Sequence, residues 1–190
     1  MKTILRFTIC ILLMFPNYGT SQSIMAHIKG STYTPLYGRD SLQVSIADFL
    51  MDVYPVTNQE YLQFVKENPR WKKSKIIRLF ADESYLIKWM SDTVININEK
   101  WESPVTNISW FAAKSYCEQQ GKRLPTIDEW EYVAMADNEL PDARILQSYN
   151  EYILSWYEQP NTFKNHIGST FKNYWGVYDL HGLVWEWTSD

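Results

Sequence analysis

Residues 103–134 read SPVTNISWFAAKSYCEQQGKRLPTIDEWEYVA, and their punctuation decides the fold. Ser109 precedes an apolar-periodic run and can cap a helix whose Trp110, Ala113 and Cys117 are expected along one face. Gly121 supplies the left-handed residue that ends such a helix. Thr126 followed by Glu129 is a capping box, which opens a second helix through Asp128–Ala136. Two short helices joined by the turn GKRLPT (residues 121–126) are therefore predicted. In that turn Lys122 and Arg123 could bind an anion at the second helix's N-terminus. The simpler expectation is that Arg123 pairs with Glu129 or Glu131 and locks the turn.

The same grammar appears upstream. In VTNQEYLQFVKENP (56–69), Thr57 and Glu60 form a second capping box, and Val56 and Tyr61 stand as a hydrophobic staple. Tyr61, Phe64 and Val65 share a helical face, and Pro69 stops the helix. Before it, residues 25–58 alternate in places and are punctuated by Gly30, Pro35 and Gly38, as short strands with turns. RWKKSKIIRLF (70–80) is basic and reads either as a short helix or as a solvated loop. Residues 137–166 are polar, aromatic and aperiodic; Trp156, Phe163 and the neighbouring tyrosines predict an ordered surface excursion rather than a disordered linker.

Composition agrees with a loop-rich α+β domain. The 190 residues include 9 Trp and 13 Tyr against only 7 Gly, and 16 % are aromatic, too many rings for a disordered chain. At the N-terminus MKTILR supplies cations, FTICILLMF a run too short to span a bilayer, and PNYGTSQS a breaker with small residues. This predicts a signal peptide over 1–21, cleaved after Ser21, and export to a periplasmic or extracellular space, with no membrane insertion after cleavage. An uncleaved anchor is the alternative. Cleavage removes Lys2 and Arg6 and none of the 22 acids, taking the formal charge from −4 to −6, which argues against nucleic-acid partners. Cys10 leaves with the signal and Cys117 remains. With no CxxC and no Cys/His cluster, zinc is not expected.

Three blocks carry a resemblance: MDVYPVTNQEYLQFV (51–65), residues 103–134, and IGSTFKNYWGVYDLHGLVWEWTSD (167–190). Their order resembles that of sulfatase-modifying factor domains, the formylglycine-generating enzyme family, over 25–190. The resemblance implies a variant C-type-lectin-like fold with little regular secondary structure. It also implies that the chain is a C-terminally truncated copy. The later family segment, with the paired cysteines that bind copper and oxidise a sulfatase cysteine with molecular oxygen, is not within residues 1–190. No catalytic residue is expected in this chain, which should be inactive alone as an oxidase. Cys117 matches a structural cysteine that pairs, in exported relatives, with one near the C-terminus.

DLHGLVWE (179–186) is the strongest candidate site. Calcium takes six to eight oxygens from carboxylates, carbonyls and water. Asp179 and Glu186 can supply carboxylates, while Gly182 permits a tight turn that points carbonyls inward. Spacing alone equally describes a turn with a solvated Asp and a buried, hydrogen-bonded Glu. The resemblance implies one structural calcium held by the side chains of Asp179 and Glu186 and the carbonyls of Gly182 and Val184. Trp185 and Trp187 are expected to pack in the core. Three functions follow. One is copper-dependent formylglycine formation on exported sulfatases. Another is a non-catalytic lectin-like binding or scaffold module of the bacterial cell envelope. The third, a sulfoxide-synthase-type iron domain, is disfavoured because the chain holds only 3 His.

Overall fold

The capping residues set the helices. In the computed structural model, which describes residues 24–36 and 42–190, α1 spans Asn58–Glu67, and Thr57 accepts from the Glu60 amide while the Glu60 carboxylate takes the Thr57 N–H. Helix α2 spans Trp110–Gln119 under a Ser109 cap, and Gly121 follows at φ +69°. Helix α3 spans Ile127–Ala134, opened by the Thr126/Glu129 box. Each cap satisfies amides that a helix start leaves unpaired. The signal peptide and Gly38 lie outside the described residues.

Among the described residues the strands are short and form two separate ladders. Strand β1 (Met25–Ile28) pairs antiparallel with β4 (Phe49–Asp52), Met25 opposite Asp52; β2 (Thr32–Tyr33) pairs with β3 (Val44–Ser45). With so little sheet, loops and rings carry the interior. The result is an α+β domain with low regular structure.

Two apolar clusters form. One joins Tyr61, Phe64 and Val65 of α1 to Trp71, Trp89 and Val105 of the following loops; the other joins Ile28 and Tyr33 to Tyr132, Val133, Val177 and Leu180. Buried polar groups wire the first cluster's loops in place. The Asn58 amide donates to the Lys100 and Ser103 carbonyls, and its oxygen accepts the Trp89 indole N–H at 3.0 Å. Tyr61 and Tyr85 share a hydroxyl contact at 2.8 Å, and Tyr85 donates onward to the Trp71 carbonyl. All these donors are satisfied, so the burial carries no desolvation debt.

Three expectations are sharpened. The buried stripe of α2 is Ala112 and Ala113 with Tyr116 packed on the first cluster, whereas Trp110 and Cys117 are only partly buried. The basic stretch forms no α-helix: a 3-10 turn, Pro69–Trp71, is followed by successive turns. Residues 137–166 are ordered as expected but contain an 11-residue helix, α4 (Gln147–Tyr157). Leu146 at its N-cap makes no side-chain cap bond, so the usual start signal is missing. Tertiary contact replaces it, with buried Tyr149 donating to the Ala134 carbonyl at the end of α3.

Candidate functional site

Asp179 is positioned by a loop that Asn173 organises. The Asn173 oxygen accepts from the Trp175 and Val177 amides, and its side-chain N–H donates to the Val133 carbonyl at 2.9 Å. This ties residues 173–177 to α3. Lys172 and Tyr178 then bridge antiparallel, and Asp179 follows at φ +63°, 1 % exposed. Its Oδ1 accepts from the Thr170 amide and hydroxyl, both at 2.9 Å, and its Oδ2 accepts from the Gly168 amide. Asp179 is thus not the solvated residue that spacing alone allows. It holds loop 168–170 with three hydrogen bonds and retains acceptor capacity at Oδ2.

Gly182 sits at φ +101°, and a Cβ there would meet the Trp156 ring at 2.7 Å. Only glycine accommodates both the left-handed backbone and the indole that α4 lays against it. Leu180 and Leu183 anchor the turn in the core, and the Leu183 carbonyl accepts from the Thr162 hydroxyl at 3.2 Å. Among the described residues, neither the Gly182 nor the Val184 carbonyl accepts a hydrogen bond.

Glu186 is largely withdrawn from solvent, and its Oε2 accepts the Trp130 indole N–H at 2.6 Å. Burial pushes its carboxyl up to about 7, and the charge of Asp179 adds to the rise against the opposing Trp130 bond. Asp179 and Glu186 lie near enough for one charge to act on the other. Two like charges sharing a low-dielectric site are a deficit that a hard cation relieves. Glu186 Oε1, Asp179 Oδ2 and the Gly182 and Val184 carbonyls are oxygen donors of the kind calcium takes. Among the described residues, no group of three or more His, Cys, Asp or Glu side chains could hold a metal. The carbonyls and water would have to complete the shell.

Sequence reasoning missed three neighbours. Trp130 holds Glu186. His181 lies edge-on to Trp130 at 5.7 Å, with Nε2 placed 2.9 Å from the Ala134 carbonyl. That contact sets Nε2 as the protonated nitrogen, and burial lowers the ring's pKa. Tyr149 of α4 completes the cluster, 6.3 Å from the His181 ring. Trp130 and His181 both fall inside the quoted blocks, but nothing in linear spacing says that they meet.

The tryptophans depart from expectation. Trp185 is 90 % exposed, leaning on Tyr157 at 6.0 Å, and Trp187 is 47 % exposed with its indole N–H on the Ile108 carbonyl. Residues 184–190 run without helix or strand beside the body, so alternation sends neither ring into a core.

Cys117 is partly buried. Burial first, and then the charge of Asp52, push its thiol up to about 11 against the opposing Lys122. A thiol so raised is a poor nucleophile at neutral pH. Lys122 pairs with Asp52 at 2.6 Å, and Arg123 grips Glu129 through two 2.6 Å bonds. The helix-connecting turn is therefore a framework clamp, with Glu129 the partner of Arg123.

A loop-rich α+β domain with capped helix pairs and a carboxylate-bearing terminal turn defines the class. The chain belongs to the sulfatase-modifying factor family: the description "Sulfatase-modifying factor enzyme 1-like domain" matches residues 22–190. It is 30 % identical to "Inactive C-alpha-formylglycine-generating enzyme 2" of Bos taurus, over 77 % of this chain and 61 % of that protein. It is 27 % identical to "Formylglycine-generating enzyme" of Mus musculus, over 78 % of this chain and 50 % of that protein. "Serine/threonine-protein kinase pkn1" of Chlamydia pneumoniae is 28 % identical, over 80 % of this chain and 25 % of the kinase. The chain thus spans less than two thirds of each of these relatives.

Proposed function

We propose that residues 25–190 form the framework of a formylglycine-generating domain in an exported protein, with a variant C-type-lectin-like topology. The domain oxidises a cysteine of an exported sulfatase to formylglycine, using a copper-holding cysteine pair outside residues 1–190. The family match over residues 22–190 carries this reading, and Cys117 supports the division of labour. Its raised thiol pKa and half-buried setting suit a structural group, and no second cysteine lies among the described residues. With copper and a sulfatase-derived Cys peptide, the 190-residue chain should consume no oxygen. Uptake by this chain would overturn the assignment. Formylglycine in the peptide, detected by mass with the protein from the complete reading frame, would establish it.

A second reading is a non-catalytic lectin-like module of the bacterial envelope. It is favoured by Trp185, whose ring stands 90 % exposed beside Tyr157 and offers a contact surface that needs no redox centre. Absence of formylglycine from the full-length reaction would select it.

Under either reading the turn binds one structural calcium through Asp179, Glu186 and the carbonyls of Gly182 and Val184. The coupled carboxylates and the unpaired carbonyls support this. Calorimetry with calcium is expected to give heat and an upward melting shift; neither appearing would sink it.

A further inference from the structure

Residues 70–80, RWKKSKIIRLF, contain five of the chain's 18 cations and none of its 22 acids. The protein as a whole is acidic, so this is a local reversal of sign. Apolar side chains stand out of the same segment. Phe80 N–H closes a turn on the Ile77 carbonyl at 2.9 Å, and the turn presents Ile77 at 63 % and Leu79 at 78 % exposure. Leu79 and Phe80 continue into a depression of about 320 Å³ whose walls include Phe111 and Trp187, both also exposed. The cations have limited internal commitments. Lys73 donates to the Trp89 carbonyl, Arg70 lies over the Trp71 ring and bonds Ser115, and Arg78 makes a loose 3.6 Å contact with Glu83 in full solvent. Asp92, near Lys72 and Lys75, is already engaged by the amide and hydroxyl of Ser74.

We infer that this turn docks the protein peripherally on an anionic bilayer. Ile77, Leu79 and Phe80 enter the headgroup–acyl boundary, while Arg70, Lys72, Lys75 and Arg78 meet the lipid phosphates. Exposed apolar groups interleaved with cations along one segment are what such an interface selects, since apolar burial and charge attraction act together. Strand addition by a peptide is disfavoured: no strand lies between Lys72 and Ser109 to offer an edge. Among the described residues no helix is long and apolar enough to cross a membrane. The docking is independent of whether the domain oxidises cysteine.

Flotation of the chain with phosphatidylglycerol-containing and pure phosphatidylcholine vesicles tests it. Binding is expected to the former alone, and to fall steeply between low salt and 0.5 M salt, as a contact governed by about 10 Å screening lengths should. At about fivefold per surface cation, Lys72→Gln with Lys75→Gln should cut partitioning roughly 25-fold. Ile77→Ser with Leu79→Ser should cut it roughly tenfold or more. All four side chains lie outside the buried core, so these variants should melt within a few degrees of the parent, which is the control for folding. Equal affinity for neutral vesicles, or binding indifferent to Ile77 and Leu79, overturns the inference. So does finding that the same substitutions instead dissolve a dimer or abolish capture of an acidic peptide.

Discussion

The α2–α3 hairpin and the region from α4 to the terminal turn are built on opposite principles. In the hairpin the stabilising partners lie close in sequence: Ser109 caps its own helix, Thr126 and Glu129 bond each other, and Arg123 reaches Glu129 six residues on. In the second region the partners are remote. Gly168 and Thr170 bond Asp179, Trp130 bonds Glu186, and Trp156 fills the space over Gly182. Local grammar makes an element legible in sequence, whereas long-range contact makes a site. The candidate cation site of this family member sits in the less legible part.

The sharpest way to break the comparison is Gly182→Val. It places a branched Cβ at φ +101° and into the Trp156 ring, so a loss of about 4 kcal/mol is expected from strain and overpacking together. Urea unfolding reads it; a loss under about 1 kcal/mol would mean that α4 does not seat on the turn.

Glu186 gives the next largest effect. Its folded-state pKa of about 7 lies above the ordinary value of 4.5, so its favourable contribution is complete below about 4.5 and is lost as pH rises through 7. In chelator the protein should therefore lose on the order of 2 kcal/mol between pH 4.5 and 7.5, and Glu186→Gln should flatten that slope. Saturating calcium should oppose the loss by favouring the ionised pair. An unchanged slope in the glutamine variant would exclude Glu186 as its source.

On the local side, Thr126→Ala removes one half of a capping box and should cost about 1 kcal/mol with calcium affinity unchanged. Trp185→Ala should sit at the bottom of the scale, within about 0.5 kcal/mol of the parent in stability. A melting loss of several degrees would show that ring packed after all.

The two capping boxes, the Gly121 stop and the Arg123 clamp were legible because each is a contact within one or two helical turns of chain. The acidic balance was equally open to reading. Helix α4 was not, since Leu146 offers no cap and its register is set by Tyr149 bonding the end of α3. The exposed Trp185 and Trp187 were misplaced for a related reason. Alternation assigns opposite sides to a strand, but only neighbours decide whether either side is inside.

By itself, then, the sequence determined the family and the positions of α1, α2 and α3, because composition and short spacings carry that information. Only the tertiary structure decided what the residues of the candidate site are to one another. It buried Asp179 beneath three donors and brought it close enough to raise the Glu186 carboxyl. It also turned Trp185 outward. Those outcomes depend on dielectric and distance between segments far apart in the chain, and neither quantity exists until the chain has folded.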